Sequence, residues 1–290
     1  MSPRPILGQE FILTLSCPDA PGLVYAVSGF LLQHGGNILA SQQFEDRLTG
    51  RFFIRVHFEY TGTPTPIEEL RQSFMLIAAE HSMDYELMDI ATPTRTLIMV
   101  SKFGHCLNDL LYRSRIGTLN IDIPLIVSNH PDYAALAASY EIPYVHLPVT
   151  RDTKPEAEAE LLRLIKEHEI ELVVLARYMQ VLSETTSREL SGRAINIHHS
   201  FLPSFKGAKP YHQAHDRGVK LIGATAHYVN DDLDEGPIIE QDVVRVDHTF
   251  SADDMVAAGR DVETQVLARA VQWHSERRVM PNGARTVVFR

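Results

Sequence analysis

The chain has 290 residues, enough for two domains at about 150 residues each and for a sizeable buried core. Apolar residues make up 44% and charged residues 22%, close to the averages of soluble globular proteins, which excludes a disordered tail or a fibrous chain. Lys and Arg number 27 against 37 Asp and Glu, a formal charge of −10 that disfavours an extended surface for nucleic acid or anionic membrane and makes a small molecule the expected partner.

No window approaches the roughly 18 uninterrupted apolar residues of a membrane span, and Met1 to Glu10 lacks the apolar core of a signal peptide. The expected location is the cytoplasm. The two cysteines, Cys17 and Cys106, are far apart and form no C-x-x-C pair, so neither a disulfide framework nor a thiolate metal site is indicated.

The first part of the chain reads strand, helix, strand, strand, helix, strand. Phe11 to Ser16 is an apolar strand. Asp19-Ala-Pro-Gly22 is turn chemistry leading into a helix with Leu23, Val27, Phe30 and Leu31 on one face. Gly35-Gly36-Asn37 stops that helix. Ile38 to Phe44 and Phe52 to Phe58 then form a hairpin about Leu48-Thr49-Gly50. Ile67, Leu70, Phe74 and Ile77 recur at helical spacing, and Tyr85 to Ile90 closes the unit as an edge strand. This order predicts a small α+β sandwich over residues 1–90.

Ala91-Thr-Pro-Thr94 suits a linker, and residues 95–290 read as a second domain. Thr96 to Val100, Leu125 to Val127 and Leu172 to Leu175 are continuous apolar runs with helical segments between them, the pattern of strands covered on both faces of a mostly parallel α/β sheet. Thr153-Lys-Pro-Glu156 predicts a capping box at the head of one helix. Ser251 with Asp254 predicts the start of another, whose Met255, Val262, Val266 and Val271 make an inward stripe.

The segment richest in chemistry is Ile195-Asn-Ile-His198-His199-Ser-Phe-Leu-Pro203, an apolar strand ending in polar groups at the place where α/β sheets hold ligands. Asn196 and His198 are two apart, so on a strand both point to one side. An imidazolium and an amide there would stabilise an oxyanion, or the pair are satisfied core polar groups. A second segment, Ala226 to Pro237, runs a strand into Asp231, Asp232, Asp234 and Glu235 before Gly236; spacing does not say which acid faces inward.

Asn196-Ile-His198 with Ser-Phe-Leu-Pro, followed some thirty residues on by Asp234-Glu-Gly236-Pro-Ile, resembles the signature of folate-dependent formyl transfer enzymes, over roughly Arg95 to the C-terminus. The resemblance implies a Rossmann-like formyltransferase domain, a catalytic trio of Asn196, His198 and Asp234, and a 10-formyltetrahydrofolate substrate. By the same resemblance the loop Ala176-Arg177-Tyr178-Met179 holds the pterin through its backbone. Gly236 and His199, beside the trio, are expected to bind the substrate, and Lys206 and Lys209 are placed for the folate's glutamate tail. Asp19-Ala-Pro-Gly22-Leu23 with Gly36-Asn37-Ile38 resembles an ACT domain, a ferredoxin-like βαββαβ ligand-sensing fold, which places an amino-acid effector at those six residues and implies a homo-oligomer, a dimer or tetramer. An ACT unit ahead of a formyl-transfer domain resembles the arrangement of formyltetrahydrofolate deformylases.

Two departures from the transferase pattern bear on the acceptor. Ser101-Lys102-Phe103-Gly-His-Cys106 stands where the phosphoribosyl-acceptor enzymes carry a Gly-rich phosphate loop, and its bulky side chains oppose the close backbone approach phosphate needs. His199 stands where transferases commonly have proline, as a water-binding or proton-transfer group or as a packing residue. The expected reaction is therefore hydrolysis of 10-formyltetrahydrofolate to formate and tetrahydrofolate, with water as acceptor. Two other readings stand beside it: transfer to a small non-phosphorylated amine, and a binding regulator without turnover. Of the fourteen histidines, His212, His215 and His227 invite a metal reading, but H-x-x-H alone is too few ligands. No metal and no tightly bound cofactor is expected.

Overall fold

In the computed structural model, which describes residues 8–60, 66–202 and 210–290, the N-terminal elements run β1 (Gln9–Pro18), α1 (Leu23–Gln33), β2 (Gly36–Asp46), β3 (Arg51–Tyr60), α2 (Ile67–Glu80) and β4 (Asp84–Asp89). The four strands form one sheet in the order β2-β3-β1-β4, with β1 antiparallel to both β3 and β4. The register sets Phe11 opposite Phe58, Leu13 opposite Val56 and Leu15 opposite Ile54. Because side chains alternate along a strand, these residues share one face, on which Leu23, Val27, Phe30 and Leu31 of α1 and Leu70, Phe74 and Ala78 of α2 bury. Gly22 begins α1 in the left-handed region at φ 96°, which a side chain would strain.

The second unit follows with β5 (Thr94–Val100), α3 (His105–Arg115), β6 (Ile121–Ser128), α4 (Ala134–Ser139), β7 (Tyr144–His146), α5 (Lys154–Glu167), β8 (Leu172–Leu175), α6 (Glu184–Glu189), β9 (Ala194–His198), α7 (Pro210–Asp216), β10 (Leu221–Tyr228), β11 (Ile238–Arg245) and α8 (Ala252–Ser275). The seven strands lie in the order β11-β10-β9-β8-β5-β6-β7. From β7 to β9 neighbouring strands are parallel, while β10 and β11 add antiparallel pairings. The chain reverses its direction of travel across the sheet between β5 and β8, the place where open α/β sheets leave a crevice at their C-terminal strand ends.

The two predicted caps differ in outcome. At α8 the box is reciprocal: Ser251 N–H donates to Asp254 Oδ2 (2.9 Å) and Asp254 N–H to Ser251 Oγ (3.1 Å). At α5 Thr153 is the cap residue but its side chain makes no cap bond. Its Oγ1 instead accepts from the Thr150 N–H at 3.0 Å, so the preceding turn takes the group that a capping box needs.

The boundary between the units falls at Thr92 and Pro93, and the second unit comprises Pro93–Ser275 and Pro281–Thr286. Glu276–Met280 and Val287–Arg290 group with the first unit, whereas the sequence reading carries the second domain to Arg290. The reason is local to the first unit. A hairpin of β12 (Val279–Asn282) and β13 (Arg285–Val288) brings Val287 and Phe289 into a cluster with Phe53, whose side chain alternates away from the helix-covered face. Arg55, buried beside it, donates to the Glu276 carbonyl at 3.0 Å.

Among the described residues no helix is long and apolar enough to cross a membrane.

Candidate active site

β9 ends at His198, and its alternation sends Asn196 and His198 to the same side, where both line a cavity of about 270 Å³ with Asp234 and His227. His198 is buried; its Nδ1 faces Asp234 Oδ2 at 3.1 Å, and its Nε2 has no hydrogen-bond partner among the described residues. A ring nitrogen facing a carboxylate at that distance carries the proton, so Nε2 is the atom left for a bound molecule.

The backbone decides which acid of the Asp231–Glu235 run turns inward. Asp234 adopts φ 58°, the left-handed conformation that Asp tolerates better than most residues. Asp231 instead pairs with Arg188 Nε at 2.9 Å, and Asp232 and Glu235 are exposed. Gly236 is required beside it: a Cβ there would lie 1.7 Å from the Tyr228 carbonyl oxygen. Burial raises the Asp234 carboxyl, but the hydrogen bond and then the charge of His198 hold it below the ordinary aspartate value.

His199 lines the same cavity, with its ring centroid 5.4 Å from that of His198 and 6.4 Å from that of Tyr211. Burial, then the positive charge of Arg177, lowers its pKa to about 4, so this imidazole is neutral at physiological pH. His227 is driven in the same direction by burial, against the hydrogen bond to Tyr228 and the charge of Asp234.

The loop after β8 forms the opposite wall. Arg177 sits at φ 63°. The Ala176 N–H bonds the Met99 carbonyl (2.8 Å), the Arg177 N–H the Leu175 carbonyl (3.1 Å) and the Met179 N–H Ser101 Oγ (2.9 Å). With these donors engaged, the loop offers a ring system chiefly carbonyl oxygen. Met179 is half-exposed on the cavity lip, while the Tyr178 ring is buried in the core and its hydroxyl is pushed up to about 12 by burial and then by Glu158. Lys206 and Lys209 lie outside the described residues.

Sequence reasoning missed a buried charged group behind this wall. Glu263 on α8 is 1% exposed. It accepts from His105 Nε2 (2.8 Å) and Tyr211 Oη (2.7 Å), with Arg177 Nε at 3.4 Å. Burial alone would raise this carboxyl, but His105, Arg177 and Tyr211 together hold it below the usual glutamate value. Gly259, one turn earlier, makes room for the Tyr211 ring, which a Cβ would meet at 2.1 Å. The Phe103 ring is approached by both Arg177 (5.4 Å) and Arg260 (5.7 Å), so the Ser101–Cys106 loop carries side-chain cation–π contacts. A signal was present in the sequence: Glu263 falls beside Met255, Gly259 and Val262 on the apolar stripe of α8, a charge on a buried face.

His212, His215 and His227 do not converge. Among the described residues, the group whose donor atoms approach as metal ligands would is His105, Cys106 and Glu263, within 4.8 Å of one another. Arg177 already sets a cation beside that carboxylate, and burial raises the Cys106 thiol far above its ordinary value, so these donors do not suit a metal ion.

In the first unit, Gly22 opens α1, Leu23 is buried in the core, and Gly36, Asn37 and Ile38 begin β2. Asn37 Nδ2 donates to Glu59 Oε1 at 2.7 Å, and the Asp19 N–H bonds the Gly50 carbonyl at 2.9 Å. The Leu23 side chain therefore packs the core.

Comparison with known proteins agrees with both halves. Residues 94–271 match the formyl transferase family and residues 11–74 the ACT domain. A formyltetrahydrofolate deformylase of Corynebacterium sp. (strain P-1) is 55% identical over 96% of this chain and 98% of its own. A crystal structure of a formyltetrahydrofolate deformylase from Burkholderia mallei shares 55% identity, covers 97% of this chain and 100% of its own, and has a TM-score of 0.94. Another, from Pseudomonas syringae pv. tomato, shares 48% identity over 98% of this chain and 96% of its own, with a TM-score of 0.95.

Proposed function

The chain belongs to the formyltetrahydrofolate deformylase family, with an ACT domain ahead of a formyl transferase domain, and from that premise we propose that it hydrolyses 10-formyltetrahydrofolate to formate and tetrahydrofolate at the Asn196, His198 and Asp234 site. The observation that carries this reading is the convergence of those three side chains at the end of β9, with Asp234 ionised against His198.

The chemistry follows from the geometry. The folate's pteridine lies along the Arg177–Met179 loop, which presents its N10-formyl group to the trio. Asp234 holds a water molecule and takes its proton as the oxygen adds to the formyl carbon. The oxyanion that forms is met by the Nε2–H of His198, acting as the imidazolium beside the Asp234 anion, and by an Asn196 N–H, donors fixed in place before reaction. Collapse breaks the carbon–N10 bond, N10 leaves with a proton relayed through the site, and formate and tetrahydrofolate are the products.

Water as acceptor is supported by the cation–π contacts of the loop at Phe103 and by a wall of neutral imidazole at His199 beside the trio. No cofactor beyond the folate substrate enters these steps. An amino acid bound at the Asp19–Leu23 and Gly36–Ile38 turns of an oligomer would regulate turnover. Sedimentation with and without candidate amino acids tests that part, and a monomer that binds none of them removes it.

The deciding experiment supplies purified protein with 10-formyltetrahydrofolate in buffer free of any amine acceptor. Equal release of formate and tetrahydrofolate over many turnovers is expected. Turnover that begins only when an amine is added would replace hydrolysis by transfer, and binding without turnover under either condition would leave a regulator.

A further inference from the structure

His227 is buried at the edge of the trio, and the steps above give it no role. Its place is set by the sheet. On the antiparallel β9–β10 pair, His227 is the residue directly opposite Asn196, so their side chains project from the same face at neighbouring positions. The β10–β11 register shifts between Ala226 and His227, an irregularity of the kind that re-aims a side chain next to a site.

The hydrogen bond to Tyr228 fixes one end of the ring, and burial keeps the ring neutral against the Asp234 carboxylate, whose Oδ1 lies 3.8 Å from Nε2. Nδ1 lies 2.9 Å from the Tyr228 carbonyl oxygen, which can only accept, so Nδ1 carries hydrogen. A neutral ring then has a bare Nε2, and that atom faces Asn196 Nδ2 at 3.2 Å. A bare nitrogen can only accept, so the amide group of Asn196 must turn its NH₂ toward His227. One of its two N–H groups is used there and the other remains for the cavity that Asn196 lines. Were the amide reversed, its carbonyl oxygen would meet the Nε2 lone pair.

The carbonyl that sets the tautomer is itself held. Gly236 lies against Tyr228 so closely that any Cβ would sit 1.7 Å from that oxygen and 3.2 Å from His227 Nδ1. At its other end Tyr228 is anchored to α8 through a 2.7 Å hydrogen bond between its hydroxyl and His274 Nδ1. Gly236, Tyr228, His227 and Asn196 thus form one chain of contacts ending at the oxyanion donor.

We propose that His227 is the positioning residue for Asn196, a neutral acceptor that locks the amide with an N–H directed at the formyl oxygen. The proposal rests on the deformylase reading above. It assigns His227 no contact with the folate.

The test is a double-mutant cycle on the full chain, with turnover of 10-formyltetrahydrofolate as readout. H227F keeps a ring but removes the acceptor, and kcat should fall about 10²-fold, the scale of a misplaced catalytic group, with KM little changed. H227Q sets an amide oxygen near the position of Nε2 and should recover most of that loss. In the N196A background, H227F should cost almost nothing further, because the group it positions is gone.

Equal losses from H227F with and without Asn196, or a loss carried by KM alone, would overturn the proposal. Should H227F fail to fold, imidazole nitrogen NMR of the wild-type protein decides: Nδ1 protonated and Nε2 bare is expected, and the opposite tautomer removes the mechanism. Wild-type protein without hydrolytic turnover would instead overturn the deformylase reading and leave the tautomer result standing.

Discussion

Asp234 Oδ2 lies 3.1 Å from His198 Nδ1, and Asp234 reaches it only by adopting φ 58°. Asn tolerates that left-handed backbone as well as Asp does, so Asp234→Asn removes the charge while leaving the turn. The expected result is a urea midpoint lowered by loss of the His198 pairing, with the protein still folded and kcat lowered about 10²–10³-fold, the usual cost of deleting one group that acts on a transition state. Near-native turnover in this variant would remove Asp234 from the reaction.

His198→Ala should have a similar effect on turnover for a different reason. It deletes the Nε2 that has no partner among the described residues and leaves Asp234 without its principal counter-charge. The carboxyl of Asp234 should then titrate at higher pH than in the wild type, because burial is opposed by less. The acid limb of residual activity should move upward accordingly; a limb that stays in place would separate Asp234 from that titration.

The parts of this site that one strand can carry were legible in the sequence. Period-two alternation places Asn196 and His198 together without any knowledge of the fold. Which of four acids would face them could not be read from spacing and came only with the family resemblance, because the answer lies in a positive φ at Asp234 and in Gly236 seated against Tyr228, neither of which leaves a periodic trace. The Glu263 cluster was less legible still: its partners come from positions 105, 177 and 211, and only the sheet brings them together. The C-terminal return escaped for the same reason, since Val287 and Phe289 are apolar in either unit and only Phe53 shows where they bury.

Gly236→Ala tests the turn without touching a charge. The added Cβ would sit 1.7 Å from a backbone oxygen, a contact relieved only by moving the main chain. A destabilisation of about 1–3 kcal/mol is expected from overpacking of this kind, read from urea unfolding by the fluorescence of Trp273, the single tryptophan. Turnover should fall further than stability does, because Asp234 and the Tyr228 carbonyl move together.

Glu263→Gln should cost about 3–5 kcal/mol, since it leaves the buried Arg177 without its anion. The same unfolding measurement reads this, and a change below 1 kcal/mol would mean that the cluster is solvated like a surface pair. Exhaustive chelation should leave wild-type turnover intact, because Arg177 provides the positive charge beside this carboxylate; activity lost to the chelator and restored by added metal would reverse that assignment.

His199 gives stability a dependence on pH that its replacement should remove. Its folded pKa is lowered to about 4 from the ordinary 6.5, so between those values the unfolded chain takes up a proton that the folded protein refuses. The neutral ring's contribution is therefore complete above pH 6.5, is lost as pH falls toward 4, and changes no further below that. From pH 7 to pH 5 this single group should account for up to about 2 kcal/mol. The depressed carboxyl of Asp234 acts in the same direction but below the ordinary aspartate value of 3.8, outside this window. In His199→Gln the fall in urea midpoint between pH 7 and pH 5 should be visibly shallower than in the wild type. Parallel falls in the two proteins would mean that the folded state protonates His199 as readily as the unfolded chain does, and with that the neutral wall beside the trio would be lost from the case for water.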